Sequence, residues 1–213
     1  MKKVISLLLC AVMLVSFVGC AANNATGDNS TDKGNNTKVE LSRGKIEGDV
    51  YKSEYLGLEF TKPSSWVYST DEEIAQAMNL GADMLGDKFK EAVENNPSVY
   101  DMMVVDSLTR TNINISYENL AKSMSTNITE EQYIDAVKQQ FAGITSMTVK
   151  FSDNIEKVKL GEQEYTKITA TTTASGVTMT QVYYVRKIDT YMSLVIATIV
   201  SGYTASDIEA MFK

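Results

Sequence analysis

The polar and apolar positions divide this chain into three stretches. Residues 4–18 are apolar almost without a break, with Ser6 and Ser16 as the only polar positions. From Ala21 to about Gly44 the large apolar residues thin out into Asn, Thr, Gly, Ser, Asp and Lys. From Lys45 onward they return with two periods, two residues for strands and three to four for helices.

The third stretch resolves into elements. Residues 49–53 and 57–62 read as a hairpin joined around Glu54-Tyr55, with Leu58 and Phe60 on one face. Pro63 ends the pairing, because it has no N–H to donate. Thr70-Asp71-Glu72-Glu73 is a capping box that opens a helix. Ile74, Met78, Ala82 and Leu85 form its apolar stripe. A break near Gly86 separates it from a shorter helix carrying Phe89, Ala92 and Val93, which stops at Asn95-Asn96-Pro97. Residues 99–108 and 111–117 form a second hairpin turning at Thr109-Arg110. Its second strand alternates strictly: Thr111, Ile113, Ile115 and Tyr117 face a core, and Asn112, Asn114 and Ser116 face water.

Thr129-Glu130-Glu131-Gln132 caps the next helix, which runs to about Ala142 with Tyr133, Ile134, Val137 and Phe141 inward and Gly143 as its stop. Four strands follow: 148–152 (or a longer piece through Lys159), 164–173, 177–187 and 191–200. Ser175-Gly176 and Ile188-Asp189 supply short hairpin turns. The last strand is apolar on both faces and belongs in the middle of a sheet. Thr204-Ala205-Ser206-Asp207 caps a final helix bearing Ile208, Met211 and Phe212. Helices alternate with hairpins and not with single strands, which argues against parallel βαβ units. The pattern predicts an α+β sandwich, with one twisted antiparallel sheet flanked by helices.

The first stretch has a different logic. Lys2 and Lys3 precede the apolar run, and Gly19-Cys20 closes it, which is the layout of a secretory signal. The run is shorter than the ~20 residues of a membrane-spanning helix. Phe17-Val18-Gly19-Cys20 resembles the lipobox of bacterial lipoproteins, although Phe17 stands where that family usually has Leu. The resemblance implies cleavage before Cys20 and a diacylglyceryl group on its sulfur. Two acyl chains meet the requirement for stable anchoring, which one chain does not. The expected organisation is a signal over 1–19, a lipidated Cys20 with a flexible tether over 20–44, and one domain over 45–213. A tether of roughly 24 residues reaches about 25–30 Å on average. The expected location is the extracytoplasmic face of the cell membrane.

Composition narrows the chemistry. The only cysteines are Cys10, which leaves with the signal, and Cys20, so no disulfide framework is available. Loss of two lysines and no acid with the signal takes the formal charge from −7 to −9. An acidic protein of this kind is a poor nucleic-acid ligand. The chain has no histidine, which removes His-based triads and His-ligated zinc or iron. No glycine-rich phosphate loop follows a strand. No cofactor is expected, no metal site is expected, and the chain reads as a non-enzyme.

Three features invite a sharper reading. Trp66, the sole tryptophan, suits a ligand platform but reads better as core. Asn112 and Asn114 suit a ligand but read better as a solvated strand face. The acids at 71–73 and 130–131 sit in first turns, where they complement the helix dipole, and lack the spacing of a calcium loop.

Two segments carry a family resemblance. Tyr51-x-x-x-Tyr55-Leu-Gly57-Leu-Glu-Phe60-x-x-Pro63-x-x-Trp66 resembles the opening of PsbP-like domains, and Asp106-x-x-Thr109-x-x-Asn112-Ile-Asn-Ile115 resembles their second hairpin. With the element order, the resemblance covers most of residues 48–213. It implies an αβα sandwich whose known members mostly act as binding or assembly factors. The resulting expectation is a lipid-anchored module that binds an envelope protein partner, with a small-ligand receptor of an uptake or sensing system as the alternative.

Overall fold

The computed structural model describes residues 39–174 and 176–213. The protein is a mixed α+β fold, and the strand pairings are antiparallel. Strands β1 (Lys45–Glu47), β2 (Val50–Ser53) and β3 (Leu58–Thr61) form a small sheet. The large sheet runs β4 (Trp66–Tyr68), β5 (Ser98–Asp106), β6 (Asn112–Asn119), β11 (Tyr191–Ile199), β10 (Val177–Ile188), β9 (Gln163–Ala174) and β7 (Thr148–Phe151). Strand β8 (Glu156–Leu160) also pairs with β9.

The single sheet expected from the sequence is therefore two. Leu58 and Phe60 do share one face of β3, but that face packs onto the large sheet instead of extending it. The chain turns at Pro63, whose carbonyl accepts from Trp66 N at 3.0 Å, and restarts pairing as β4 against β5.

Helices cover both faces of the large sheet. On one face, here face A, sit the small sheet, α1 (Asp71–Met78), a 3-10 turn (Ala82–Leu85), α2 (Phe89–Asn95) and α5 (Ala205–Glu209). Face B carries α3 (Leu120–Ser123) and α4 (Glu130–Ala142). The capping boxes at Thr70, Thr129 and Thr204 are all formed. Helix α1 stops at Asn79, in the left-handed conformation at φ 56°, and not near Gly86. Ala82 and Leu85 thus leave the helical stripe for the 3-10 turn. Met211 and Phe212 likewise lie beyond α5. There the chain runs along β3, with Lys213 N donating to Glu59 O at 2.8 Å and Phe212 bridging Phe60.

Strand β11 is central, between β6 and β10, as its two apolar faces require. Its hairpin with β10 turns at Asp189-Thr190, one residue later than the sequence suggests, with Asp189 at φ 54°. Residues 148–160 make two strands along the same edge of β9, not one.

The packed chain also begins before residue 45. Leu41 is buried in the face A core, and Arg43 and Gly44 are bonded to it. The boundary of a free tether at residue 44 is therefore too late. Cys20 and the signal lie outside the described residues.

Candidate functional site

Strand β5 carries an irregularity against β6 between Tyr100 and Met102, which shifts the register there. The residue at this bulge is Asp101, buried at 1 % exposure. A bulge adds a residue without a cross-strand mate and re-aims its side chain. Asp101 turns into the layer between the sheets. Tyr51 of β2 and Tyr117 of β6 both donate their hydroxyls to Oδ2 at 2.9 Å. Gly44 N donates to the same carboxylate, at 3.0 Å to Oδ1 and 3.2 Å to Oδ2. Arg43 Nε donates to the Asp101 carbonyl at 3.1 Å and lies 3.9 Å from Oδ1. The Arg43 guanidinium also reaches Leu85 O at 2.7 Å and Asp71 Oδ1 at 2.8 Å.

Gly44 has no room for a side chain. A Cβ there would lie 2.2 Å from the Tyr51 ring. Burial pushes the Asp101 carboxyl up to about 6, against the pull of Tyr51, Tyr117, Gly44 N and Arg43. Burial, reinforced by the Asp101 charge, drives the Tyr51 and Tyr117 hydroxyls well above their ordinary values. Asp101 is fully engaged by donors within the protein, so it serves as a keystone and not as a free base.

The same layer continues across face A. Tyr117 lies opposite Ser193, and Ser193 opposite Arg186, in adjacent strands. The Arg186 guanidinium sits 5.8 Å from the Tyr165 ring centre, and its Nη1 donates to Leu56 O at 2.9 Å. That bond ties down the turn between β2 and β3, whose Tyr55 ring meets Tyr117 edge-on at 5.7 Å. Three buried side-chain oxygens in this region have no hydrogen-bond partner among the described residues: Tyr55 Oη, Tyr165 Oη and Ser193 Oγ. Burial pushes Tyr55 up to about 12, aided by the charge of Asp189 and opposed by Arg186.

Face B differs. A row of directly opposed residues crosses it: Val67, Val105, Asn112, Thr198, Gln181, Ala170 and Phe151. At the β7 end the row lies under α4, where Phe151 packs against Phe141. At the β4 end Val67 is 57 % exposed. Leu108, in the turn after β5, is 80 % exposed. Asn112 and Asn114 are both buried at 8 %, contrary to the expected solvated face. Their cross-strand neighbours on this face are Thr198 and Val105 for Asn112, and Ile196 and Met103 for Asn114. Asn112 Nδ2 donates to Arg110 O at 3.3 Å, and Asn114 Nδ2 to Asn112 Oδ1 at 3.4 Å. Further along β6, Glu118 is buried and accepts the Tyr133 hydroxyl of α4. Burial raises its pKa against the Tyr133 and Ser123 hydrogen bonds.

The remaining sequence candidates fall into structural roles. Trp66 is buried beside Phe60 and Tyr203, and its Nε1 donates to Tyr203 Oη at 2.8 Å. Asp71 is the Arg43 partner. Glu130 is more than a dipole complement: it accepts from Lys187 N at 2.8 Å and from Lys157 Nζ at 2.9 Å, joining α4 to β10 and β8. Asp101 escaped the sequence reading because it sits in an apolar strand with no spacing signature. Its one visible trace is an acid interrupting residues 99–105 where alternation would place a core side chain.

Among the described residues no group of three or more His, Cys, Asp or Glu side chains is placed to hold a metal, and no helix is long and apolar enough to cross a membrane. No family model and no curated protein matches the chain. One solved structure, a protein of Bacteroides thetaiotaomicron VPI-5482 at 1.50 Å resolution, aligns at 14 % identity with a TM-score of 0.36. The alignment covers 73 % of this chain and 44 % of that one, so the chain spans less than half the length of the protein it matches.

Proposed function

We propose that this protein is a lipid-anchored, extracytoplasmic binding module with a PsbP-like domain, held to the membrane through Cys20 and engaging an envelope protein partner without catalysis. One observation carries the reading of the surface. The β4 end of face B presents Val67 to solvent, in the row that continues through Val105 to the sheltered amide of Asn112, and Leu108 is exposed in the turn that follows β5. Protein-binding patches are apolar at the centre and polar at the rim, and Val67 and Leu108 are the two most exposed large apolar side chains among the described residues. The described chain enters on face A, where Leu41 and Arg43 are held, so this corner lies on the opposite face of the sheet from the tether.

The test uses the full-length protein in its native membrane, with a photo-crosslinking residue placed at Val67, at Leu108 or, as controls, at Ile155 and Val177. A partner captured from positions 67 and 108 and not from the controls supports the reading. Equal capture at all four sinks it. Metabolic labelling with an acyl probe, lost on Cys20→Ser, tests the anchor separately.

A receptor for a small ligand is the second reading. It is favoured by the three unpartnered buried hydroxyls between the sheets, because native interiors leave few such groups unsatisfied.

A further inference from the structure

The layer between the sheets contains two similar groups of donors. In the first, two tyrosine hydroxyls, a backbone N–H and an arginine surround one carboxylate, that of Asp101. In the second, two tyrosine hydroxyls, a serine hydroxyl and an arginine stand together. Burial raises the pKa of the Tyr165 hydroxyl, and Arg186 and Ser193 both act on it to pull that value down. None of the three hydroxyls has a partner in full hydrogen-bond geometry among the described residues. The second group is contiguous. Ser193 is directly opposite Arg186, Arg186 lies over the Tyr165 ring, and Tyr55 rests on Tyr117, the other neighbour of Ser193. Tyr165 and Ser193 are both 0 % exposed.

We infer that this second group binds a small carboxylate, with Tyr55, Tyr165 and Ser193 donating to its oxygens and Arg186 supplying the opposing charge. A carboxylate carries about four lone-pair sites and is matched by hydroxyl and guanidinium donors. Such charge-assisted bonds are about twice as strong as neutral ones. Asp101 shows that this interior tolerates a buried carboxylate when donors converge on it. Arg186 spends Nη1 on Leu56 O and keeps further N–H groups.

The way in is the turn between β2 and β3. It is held by Arg186 and by Ser53 Oγ, which accepts from Leu56 N at 3.2 Å. Arg186 is the member of the group most open to solvent, and Tyr55, at 8 % exposure, is the least buried of the three hydroxyl residues. The inference names a ligand class for the receptor reading and rests on it. It is independent of the partner-binding corner on face B.

The experiment is thermal unfolding of residues 20–213 carrying Cys20→Ser, titrated with formate, acetate and propionate against chloride at equal ionic strength. A ligand at a hundred times its dissociation constant shifts the folding equilibrium about a hundredfold. The inference expects a saturable rise in midpoint with at least one carboxylate and none with chloride. In the double variant Tyr165→Phe, Ser193→Ala the rise should disappear or need at least about tenfold more ligand, since each lost bond to a charged group weakens binding by about that factor. Both changes remove unpartnered hydroxyls and leave the rings in place, so the variant should fold at least as well as the parent. A flat titration, or an equal rise in parent and variant, overturns the inference. A crystal structure grown in acetate that shows only water among the three hydroxyls does the same. A shift produced only by uncharged compounds would overturn the carboxylate while leaving the receptor reading in place.

Discussion

The two faces of the large sheet are closed to different extents. On face A, Asp101, Tyr51 and Tyr117 are sealed beneath a second sheet, and the chain entering at Arg43 and Gly44 helps to close the lid. On face B, the polar row through Asn112 and Thr198 ends at a strand edge, and its last side chain, Val67, is mostly in water. A polar group under a lid has its energy fixed by the protein around it. The polar residues of the face B row, Asn112, Thr198 and Gln181, are buried as well, so the contrast lies at the row's end, where the apolar Val67 is left in water and open to contact. Stability rests on the sealed groups of face A, and under the function proposed above the exposed edge of face B is where a partner would dock; mutation can break this contrast.

The largest effect is expected at Asp101. Asp101→Ala strands two buried tyrosine hydroxyls, the Gly44 N–H and part of Arg43, and should cost about 3–5 kcal/mol in urea denaturation. The pH dependence gives a sharper test. The folded-state value is about 6, against ~3.9 for an unfolded aspartate. A raised value means the folded protein holds this proton more tightly. The favourable contribution is therefore complete below pH ~4 and is lost as the pH rises through about 6. The gap is worth about 3 kcal/mol. Relative to Asp101→Asn, the parent should lose up to that amount between pH ~4 and ~7.5. Asp106 and Glu131, held below their ordinary values, drive stability the other way. They are present in both proteins and cancel in the difference. A difference independent of pH would show that Asp101 is not sealed.

Next in size is the lid's edge. A chain starting at Lys45 loses the burial of Leu41 and the Arg43 and Gly44 hydrogen bonds that one starting at Val39 keeps. The shorter chain should be less stable by roughly 2–4 kcal/mol. Gly44→Ala should reproduce much of that loss within the intact chain, because the methyl group meets the Tyr51 ring. Equal stability of the two lengths would mean that residues 39–44 only lie on the domain.

On face B, Tyr133→Phe removes the hydroxyl bonded to Glu118, under α4 and away from the open corner. It should cost about 1–3 kcal/mol, the penalty for an unsatisfied buried acceptor. It marks how far the sealed part of face B extends.

Much of this contrast was legible in the sequence, and the missing part has a physical cause. Period-two and period-four patterns locate β6, α4 and β11, because each buries one stripe or both faces. The capping boxes fix where α1, α4 and α5 begin. The sequence does not separate the small sheet from the large one, since β3 has the same alternation whether its apolar face lies within a sheet or beneath one. It also misleads at Asn112 and Asn114, because alternation reports which face a residue is on and not what lies over that face. Asp101 is the extreme case. A bulge changes the direction of one side chain without changing the local composition, so the keystone of face A looks like an interruption in a strand.

The smallest expected effect on the fold is also the one that matters most for function. Val67→Asp and Leu108→Asp replace side chains that are mostly in water, so each should change stability by no more than about 0.5 kcal/mol. If face B is the recognition surface, the same substitutions should abolish cross-linking from neighbouring positions, because a charge set into an apolar contact must be desolvated without a partner. The two faces then separate fully: Asp101→Ala damages the fold, and Val67→Asp leaves the fold intact and removes the partner. If Val67→Asp instead destabilises the protein by several kcal/mol, the β4 edge must be covered by chain or partner in the native state. The division between a sealed face and an open one would then fall, since both faces would be closed and the contact site would have to lie elsewhere on the molecule.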